Sequence, residues 1–268
     1  MPELPEVETI TRKLAPILAG KQILSTDLCW KGSLAYPSPS KFNQSLPNQF
    51  IQIISRRGKF LWLTLSKSHL LIHLRMSGDL FIRPTISPSE KHDRVILNLA
   101  GDISLVFNDP RKFGRIWLTQ TPEQVLKKLG PEPLEEQFTV ELLQSMLKNR
   151  HRQLKPLLLD QSFLAGLGNI YTDEALFKAR LHPLRISDSL SASECTSLWT
   201  AIRDVLKEGI LRNGASIDWV YKGGDFQNHF KVYGRKGESC HRCESTIEKI
   251  SVGQRGTHFC PTCQPKGN

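Results

Sequence analysis

The sequence predicts an α+β protein in three parts: an N-terminal antiparallel β-sandwich flanked by a helix, a helical middle segment, and a small metal-held segment at the C-terminus. Three observations support this. Short apolar runs fill residues 22–119, apolar residues recur at helical spacing after residue 137, and four of the six cysteines form two Cys-x-x-Cys pairs near the end. We place the boundaries at 1–130, 131–225 and 226–268.

The first predicted element is a helix over residues 5–18. Pro5 suits a first helical turn, and the nearby acidic residues Glu6 and Glu8 favour the positive end of the helix. Gly20 follows as a stop signal. The apolar residues that recur at helical spacing are Val7, Ile10, Leu14, Ile17 and Leu18.

Strands are predicted next, from about residue 22 to residue 119. Their apolar runs are bounded by Gly, Pro, Ser and Asp, the residues that favour turns. The clearest runs are FLWLTL (60–65), HLLIHLRM (69–76), VILNLA (95–100) and SLVFND (104–109). Many short strands of this kind predict a sandwich, with the first helix at its edge.

The segment GPEPLEEQ (130–137) is rich in Pro and Glu and predicts a hinge. Beyond it the pattern is helical, with one helix around residues 142–147 and another around 198–210. Ser191 and Glu194 have the spacing of a capping box before the second of these helices.

The balance of charged residues indicates which class of partner the protein binds. Lys and Arg total 36 against 26 Asp and Glu, for a net charge of +10. This charge favours a polyanionic partner such as nucleic acid, although many basic proteins bind none. No apolar stretch approaches the ~20 residues of a membrane span, and the acidic start, with Glu3, Glu6 and Glu8, is unlike a signal peptide. We therefore expect a cytoplasmic protein without membrane association, and a monomer.

The C-terminal cysteines predict one structural Zn²⁺. Two Cys-x-x-Cys turns supply four thiolates, which fill a tetrahedral site and leave no open position for catalysis. The intervening IEKISVGQRGTHF predicts a hairpin that turns at Gln254 and Arg255, and Arg255 on its tip is a candidate phosphate ligand. The predicted ligands are Cys240, Cys243, Cys260 and Cys263.

The N-terminus carries a possible nucleophile. Removal of Met1 would leave Pro2 with a free secondary amine, which can attack an aldehyde-like carbon and form an iminium. Glu3, beside it, is a candidate proton carrier. Taken alone, Pro2 and Pro5 indicate only the start of a helix.

Six motifs in order give the chain a resemblance to the formamidopyrimidine-DNA glycosylases, bacterial enzymes that excise oxidised purines. The resemblance covers nearly the whole chain and implies a helix–two-turn–helix element in the middle segment. The region between Gly214 and Tyr233 departs from it, because a loop that closes over the flipped base reads as shortened here. The motifs are MPELPEVET (1–9), LRMSG (74–78), DPRKFGR (109–115), GLGNIYTDEALF (166–177), VYGRKGE (232–238) and the cysteine quartet.

The resemblance assigns roles by position. It makes Pro2 the nucleophile, Glu3 the acid/base, Lys59 an aid to β-elimination and Arg255 an aid to δ-elimination. Met76, Arg111 and Phe113 match the residues that fill the gap left by a flipped base. Further matches are the DNA contacts His73, His92, Arg150 and Asn169, with Glu6 at the active site and Lys155 near the damaged base.

Three functions stay open at this point. The first is a bifunctional glycosylase and lyase that repairs damaged double-stranded DNA by removing 8-oxoguanine and formamidopyrimidines. The second is the same chemistry on oxidised pyrimidines, as in endonuclease VIII. The third is a zinc-dependent DNA-binding protein without turnover, which would not require Pro2, Glu3 and Lys59 together.

Overall fold

The computed structural model describes residues 1–216 and 223–266. The chain forms two compact units, each with its own core. Unit 1 contains residues 1–127 and 216–224, and unit 2 contains residues 128–215 and 225–268, apart from the positions outside the described ranges.

Unit 1 is a β-sandwich with one long helix. A single 3-10 turn at Lys31–Ser33 separates its first two strands. Its elements are α1 (Leu4–Leu18), β1 (Ile23–Asp27), β2 (Leu34–Tyr36), α2 (Pro39–Ser45), β3 (Ile51–Arg57), β4 (Phe60–Leu65), β5 (His69–His73), β6 (Asp79–Pro84), β7 (Asp93–Leu99), β8 (Ile103–Asn108), β9 (Arg115–Thr119) and α3 (Pro122–Leu126).

Two sheets form the sandwich. The four-stranded sheet has the order β1-β7-β8-β6, and the five-stranded sheet has the order β2-β9-β5-β4-β3. Neighbouring strands are antiparallel except β2 and β9, which are parallel, so the expectation of purely antiparallel pairing was wrong for this edge. The core between the sheets combines their inward-facing apolar side chains with the apolar face of α1.

Helix α1 lies antiparallel to β3. Arg56, near the end of β3, donates from Nε to the Glu8 carboxylate at 2.7 Å. At the other end, the backbone amide of Gly20 donates to the carbonyl of Ile51 at 2.8 Å. The N-terminus of α1 therefore lies at the end of the five-stranded sheet where β3 turns into β4.

Unit 2 is helical with a C-terminal β-hairpin. The predicted capping box is present, since the Ser191 hydroxyl accepts from the Glu194 amide and the Glu194 carboxylate accepts from the Ser191 amide. Its elements are α4 (Val140–Lys148), α5 (Leu154–Leu159), α6 (Asn169–Lys178), α7 (Ala192–Leu211), two further 3-10 turns (Ser187–Ser189 and Phe226–His229), β10 (Glu248–Val252) and β11 (Arg255–Phe259).

Helices α6 and α7 pack closely because α7 has a glycine at the contact. A Cβ on Gly209 would lie 2.4 Å from a ring carbon of Tyr171. Tyr171 is fully buried and stacks on Phe226, with ring centroids 5.1 Å apart. Tyr171 therefore occupies the space that any larger residue at position 209 would need.

The hairpin turns one residue earlier than predicted. Val252 pairs with Arg255, so the two-residue turn is Gly253-Gln254, and Arg255 is the first residue of β11. Both turn residues have positive φ, 55° and 62°, which is the backbone of a tight turn that matches strand twist. Glycine at the first position makes that turn inexpensive.

The predicted α+β fold class is confirmed in all three of its parts: sandwich, helical segment and C-terminal hairpin. Among the described residues, no helix is both long and apolar enough to cross a membrane.

Candidate functional site

The start of α1 buries two carboxylates. Glu3 is the N-cap residue, and Glu3 and Glu6 form a capping box in which the Glu3 amide donates to Glu6 Oε2 at 2.7 Å. Their residues are 3% and 2% exposed, and Pro2 is also buried. A proline nitrogen and two carboxylates thus lie at the positive end of a 15-residue helix.

Lys59 lies at the same end of the sheet. Arg57 pairs with Phe60, so Gly58 and Lys59 form the two-residue turn between β3 and β4. Gly58 has a φ of 56°, a conformation that glycine adopts without strain. Lys59 is only 4% exposed, which is unusual for a lysine in a turn.

His73 ends β5 directly opposite Phe60, and the edge of its ring packs against that phenyl ring with centroids 4.7 Å apart. Burial, together with the positive charges of Arg75 and Lys59, lowers the pKa of His73 to about 3. Nδ1 accepts from the Arg75 amide at 3.0 Å, so the ring proton of the neutral imidazole lies on Nε2. His73 can therefore donate one hydrogen bond to a phosphate but adds no charge to it.

Two loops connect the sheets at this same end. The Met76 loop, residues 74–78, joins β5 to β6, and the Arg111 loop, residues 109–114, joins β8 to β9. The flanking residues pair across the sheets: His73 with Arg115, and Asn108 with Asp79 and Asp93. The loops therefore lie side by side at the edge that holds the N-terminus of α1.

Asp109 fastens the two loops together. Its carboxylate is fully buried and accepts from the hydroxyl of Ser77, from the amide of Gly114 at 2.7 Å and from the amide of Arg111 at 3.2 Å. Ser77 belongs to the Met76 loop, so one carboxylate sets the conformation of both loops. A carboxylate that accepts several hydrogen bonds is a strong anchor for backbone.

The predicted gap-filling residues are available at the surface of these loops. Phe113 is 48% exposed, which excludes a core role, and Arg111 lies over its ring with Cζ 4.9 Å from the centroid. Met76 is half-buried. An exposed apolar ring in contact with a cation suits insertion into a base stack, and so does the flexible thioether of Met76.

His92 precedes β7 at the same edge and is half-buried. Its carbonyl accepts from the Asp109 amide at 2.9 Å. The buried Arg94 donates from Nε to the Asp109 carbonyl at 2.7 Å and approaches His92 Nδ1 at 3.4 Å. His92 is therefore held against the Arg111 loop.

In unit 2, the residues around the start of α6 hold the hairpin. Gly168 is the N-cap of α6 and Asn169 is its first residue. The Asn169 side-chain amide donates to the Gly256 carbonyl at 3.0 Å. The N-terminal amides of α6 point outward from the helix and suit a phosphate.

Lys155 is fully buried and forms an ion pair with Asp173 of α6. Its Nζ also lies 3.3 Å from the Gly256 carbonyl, and the second Asp173 oxygen accepts from the His258 amide at 2.9 Å. This cluster fixes β11 on α6. Arg255, at the start of β11, is itself exposed, as is Arg150 after α4.

The four cysteines fit a zinc ion. Their sulfur atoms lie within 4.8 Å of one another, and Cys240 to Cys263 and Cys243 to Cys260 measure 3.9 and 3.4 Å. A tetrahedron with bonds of about 2.3 Å has edges of about 3.8 Å. In each Cys-x-x-Cys turn a backbone amide points at a sulfur, from Arg242 to Cys240 and from Cys263 to Cys260, both at 3.4 Å. One structural zinc is the ion that this donor set would hold.

Sequence reasoning missed the supporting residues. Ser77, Asp109 and Asp173 lie inside three of the motifs, which was the available signal, but Arg94 lies outside them and gave none that periodicity could reveal. The loop between Gly214 and Tyr233 was expected to be short, and its residues 217–222 lie outside the described residues.

Comparison with known proteins gives a consistent result along the chain. Three family models match: the formamidopyrimidine-DNA glycosylase N-terminal domain over residues 1–116, the formamidopyrimidine-DNA glycosylase H2TH domain over 129–220, and the zinc finger found in FPG and IleRS over 237–266. The matched cysteines confirm the prediction of a zinc finger.

Full-length relatives carry the same description. A formamidopyrimidine-DNA glycosylase from Pelotomaculum thermopropionicum is 44% identical, over 98% of this chain and 99% of its own. One from Chloroflexus aurantiacus is 46% identical, over 98% of both chains.

Solved structures are similar throughout. The Lactococcus lactis enzyme bound to DNA containing an abasic site is 39% identical, with a TM-score of 0.92 over 98% of this chain and 100% of that one. Its complex with DNA containing FAPY-dG is also 39% identical, with a TM-score of 0.93 over 98% of this chain and 100% of that one.

Proposed function

The chain belongs to the formamidopyrimidine-DNA glycosylase family, and on that premise we propose that it removes oxidised purines from duplex DNA and then cleaves the strand at the abasic site. The observation that carries the proposal is the burial of Pro2 and Glu3 at the start of α1, on the sheet edge shared with Lys59 and the two loops. FAPY-dG in the DNA bound by the Lactococcus lactis relative supports the substrate class. The setting is base excision repair in the bacterial cytoplasm.

The first step is displacement of the base. After removal of Met1, the Pro2 nitrogen attacks C1′ of the deoxyribose, the bond from C1′ to the base breaks, and the base leaves with a proton. Opening of the sugar ring gives an iminium between Pro2 and C1′, with a proton supplied to the ring oxygen by Glu3. The positive end of α1 disfavours protonation of the amine, which leaves more free nucleophile at neutral pH.

Strand cleavage follows from the iminium. It acidifies C2′, whose proton is lost as the bond from C3′ to its phosphate oxygen breaks. A second elimination then breaks the bond from C5′ to the other phosphate, and water releases the sugar fragment from Pro2. We assign Lys59 to the first elimination and Arg255 to the second, where a cation beside each departing phosphate stabilises its charge.

The base must leave the stack before any of this chemistry. We propose that Met76, Arg111 and Phe113 fill the space it vacates, with the Arg111 guanidinium bonding to the orphaned base. Phosphate contacts then hold the strand, which the net charge of +10 favours. The proposed contacts are His73, His92, Arg150 and Asn169.

Borohydride trapping tests the nucleophile. Reduction of the iminium on DNA containing 8-oxoguanine should leave a covalent adduct, and peptide mapping should place it on Pro2 of chains whose Met1 mass spectrometry shows to be absent. Full activity in chains that keep Met1, or an adduct on another residue, would refute the assignment.

Glu3 is tested by Glu3→Gln, which should abolish base excision while the fold persists. Glu123→Gln is the matched control, because Glu123, like Glu3, follows a proline near the start of a helix in unit 1, but it is exposed. Equal activity of the two variants would remove Glu3 from the mechanism.

Substrate class is tested by comparing 8-oxoguanine opposite cytosine with thymine glycol. Faster excision of thymine glycol would contradict the purine assignment and favour the endonuclease VIII alternative. Binding should also weaken with salt, with a slope of about −0.9 per phosphate neutralised, and a flat profile would contradict the phosphate contacts.

A further inference from the structure

Trp30 contacts the Arg111 loop, although it belongs to none of the six sequence motifs. It immediately precedes the 3-10 turn at Lys31–Ser33, and it is 39% exposed. The Lys112 ammonium lies over its indole ring, 4.1 Å from the centroid. A lysine at this distance from an indole face is attracted by the ring's quadrupole.

The Trp30 indole packs against the backbone of the 3-10 turn that follows it. A Cβ on Gly32 would lie 2.6 Å from Trp30 Nε1, so the indole rests directly on the glycine backbone. The Trp30 amide donates to the Arg94 carbonyl at 3.1 Å, and Arg94 in turn binds the Asp109 carbonyl. Trp30 therefore contacts the Arg111 loop directly through its ring, and its backbone is linked to the loop through Arg94.

Lys112 has an uncommon backbone conformation. Its φ is +61°, in the left-handed region that residues with a Cβ rarely adopt. This conformation turns the lysine toward Trp30, while its two neighbours contact each other, with the Arg111 guanidinium over the Phe113 ring. The attraction of a lysine for an exposed indole is no larger than the strain of a left-handed residue, so Trp30 offsets part of the cost of the loop conformation.

We propose that Trp30 is a positioning residue for lesion recognition: by holding Lys112 it keeps Arg111 and Phe113 in the paired arrangement that enters the gap left by a flipped base. The inference rests on the proposed function, because gap filling is the task of the loop. Trp30 itself touches neither the reacting atoms nor the damaged base.

The test compares Trp30→Leu, which removes the aromatic face, with Trp30→Phe, which keeps a smaller one. Tyr36→Leu is the control, because Tyr36 is another exposed aromatic of unit 1, at 51% exposure, on a strand of the five-stranded sheet. The substrates are a duplex with 8-oxoguanine, which needs gap filling, and a single strand with an abasic site, which does not.

Loss of one cation–π contact should slow excision from the duplex about two- to fivefold in Trp30→Leu. Nicking of the single strand should be unchanged, Trp30→Phe should recover most of the duplex rate, and Tyr36→Leu should match the wild type. Equal losses on both substrates, or no loss on the duplex, would overturn the proposal.

A double-mutant cycle with Lys112→Met isolates the contact. If Trp30 acts through Lys112, adding Trp30→Leu to Lys112→Met should cost no further activity, and multiplicative losses would contradict the coupling. Hydrogen exchange provides a readout independent of activity, since Trp30→Leu should speed exchange in residues 109–114. A wild-type protein without activity on either substrate would refute the proposed function, while the exchange result would still decide the contact.

Discussion

Replacement of Asp109 by asparagine tests whether one buried carboxylate holds the two DNA-facing loops. Asparagine has the same shape but replaces one acceptor oxygen by an N–H donor. In its better orientation the remaining oxygen keeps the 2.7 Å bond from Gly114, and the new NH₂ faces Ser77, whose hydroxyl can accept. The Arg111 amide then retains only the Ser77 hydroxyl, at 3.2 Å.

The cost follows from these contacts. One hydrogen bond to a charged acceptor is lost and two become bonds to a neutral amide, all at a fully buried position. Hydrogen bonds to charged groups contribute about 1.5–3 kcal/mol each. We therefore expect Asp109→Asn to lower the free energy of unfolding by about 2–3 kcal/mol, and to weaken binding to lesion-containing duplex because both loops lose their common anchor.

Urea unfolding followed by circular dichroism measures the first effect, and titration of a fluorescent duplex measures the second. Asp102→Asn is the matched control, because Asp102 is exposed and has a φ of 56°, which asparagine tolerates. A free energy of unfolding for Asp109→Asn within about 0.5 kcal/mol of that control would refute the anchoring role.

Three other predictions concern the buried His73, the zinc site and the contact between α6 and α7. His73 stays neutral in the folded protein, where its pKa is about 3 against 6.5 in the unfolded chain. The free energy of unfolding should therefore fall as the pH drops from 6.5 toward 3. Urea unfolding at a series of pH values should show a weaker pH dependence for His73→Gln than for the wild type. Zinc chelation should expose residues 237–266 to protease and weaken DNA binding while unit 1 keeps its strand circular dichroism; loss of the strand signal would contradict this. Gly209→Ala should destabilise by about 1–3 kcal/mol in urea, because the new methyl group meets the immobile Tyr171 ring, although alanine by itself favours a helix.

The sequence predicted those features that local chemistry determines. The strand FLWLTL was predicted with the bounds that the structure has, because a short apolar run bounded by turn-forming residues is a local signal. In the structure its side chains alternate between more and less buried positions along β4. The zinc site was predicted because two Cys-x-x-Cys turns each form a local pair of donors.

Features that depend on distant residues were missed. The short helices Pro39–Ser45 and Leu154–Leu159 contain a serine-rich and a proline-containing segment whose patterns are too brief to show a helical period. The parallel pairing of β2 with β9 joins strands far apart in the chain. Asp109 reaches Ser77 across 32 positions, and no periodicity can reveal such a contact.

The residue at the N-cap of α1 is not the type that helix formation alone would favour. Helices favour Ser, Thr, Asp or Asn at this position, because a short side chain best reaches the free amides of the first turn. Glu3 carries a longer acid there and buries it to 3% exposure, next to Pro2 and at the sheet edge that also buries Lys59. Burial of ionisable groups is costly, and a fold that only needed a helix start would not choose it. Departures from local preference that coincide with buried acids and bases are typical of active sites, so the identity of residue 3 favours catalysis over capping as the reason for its presence.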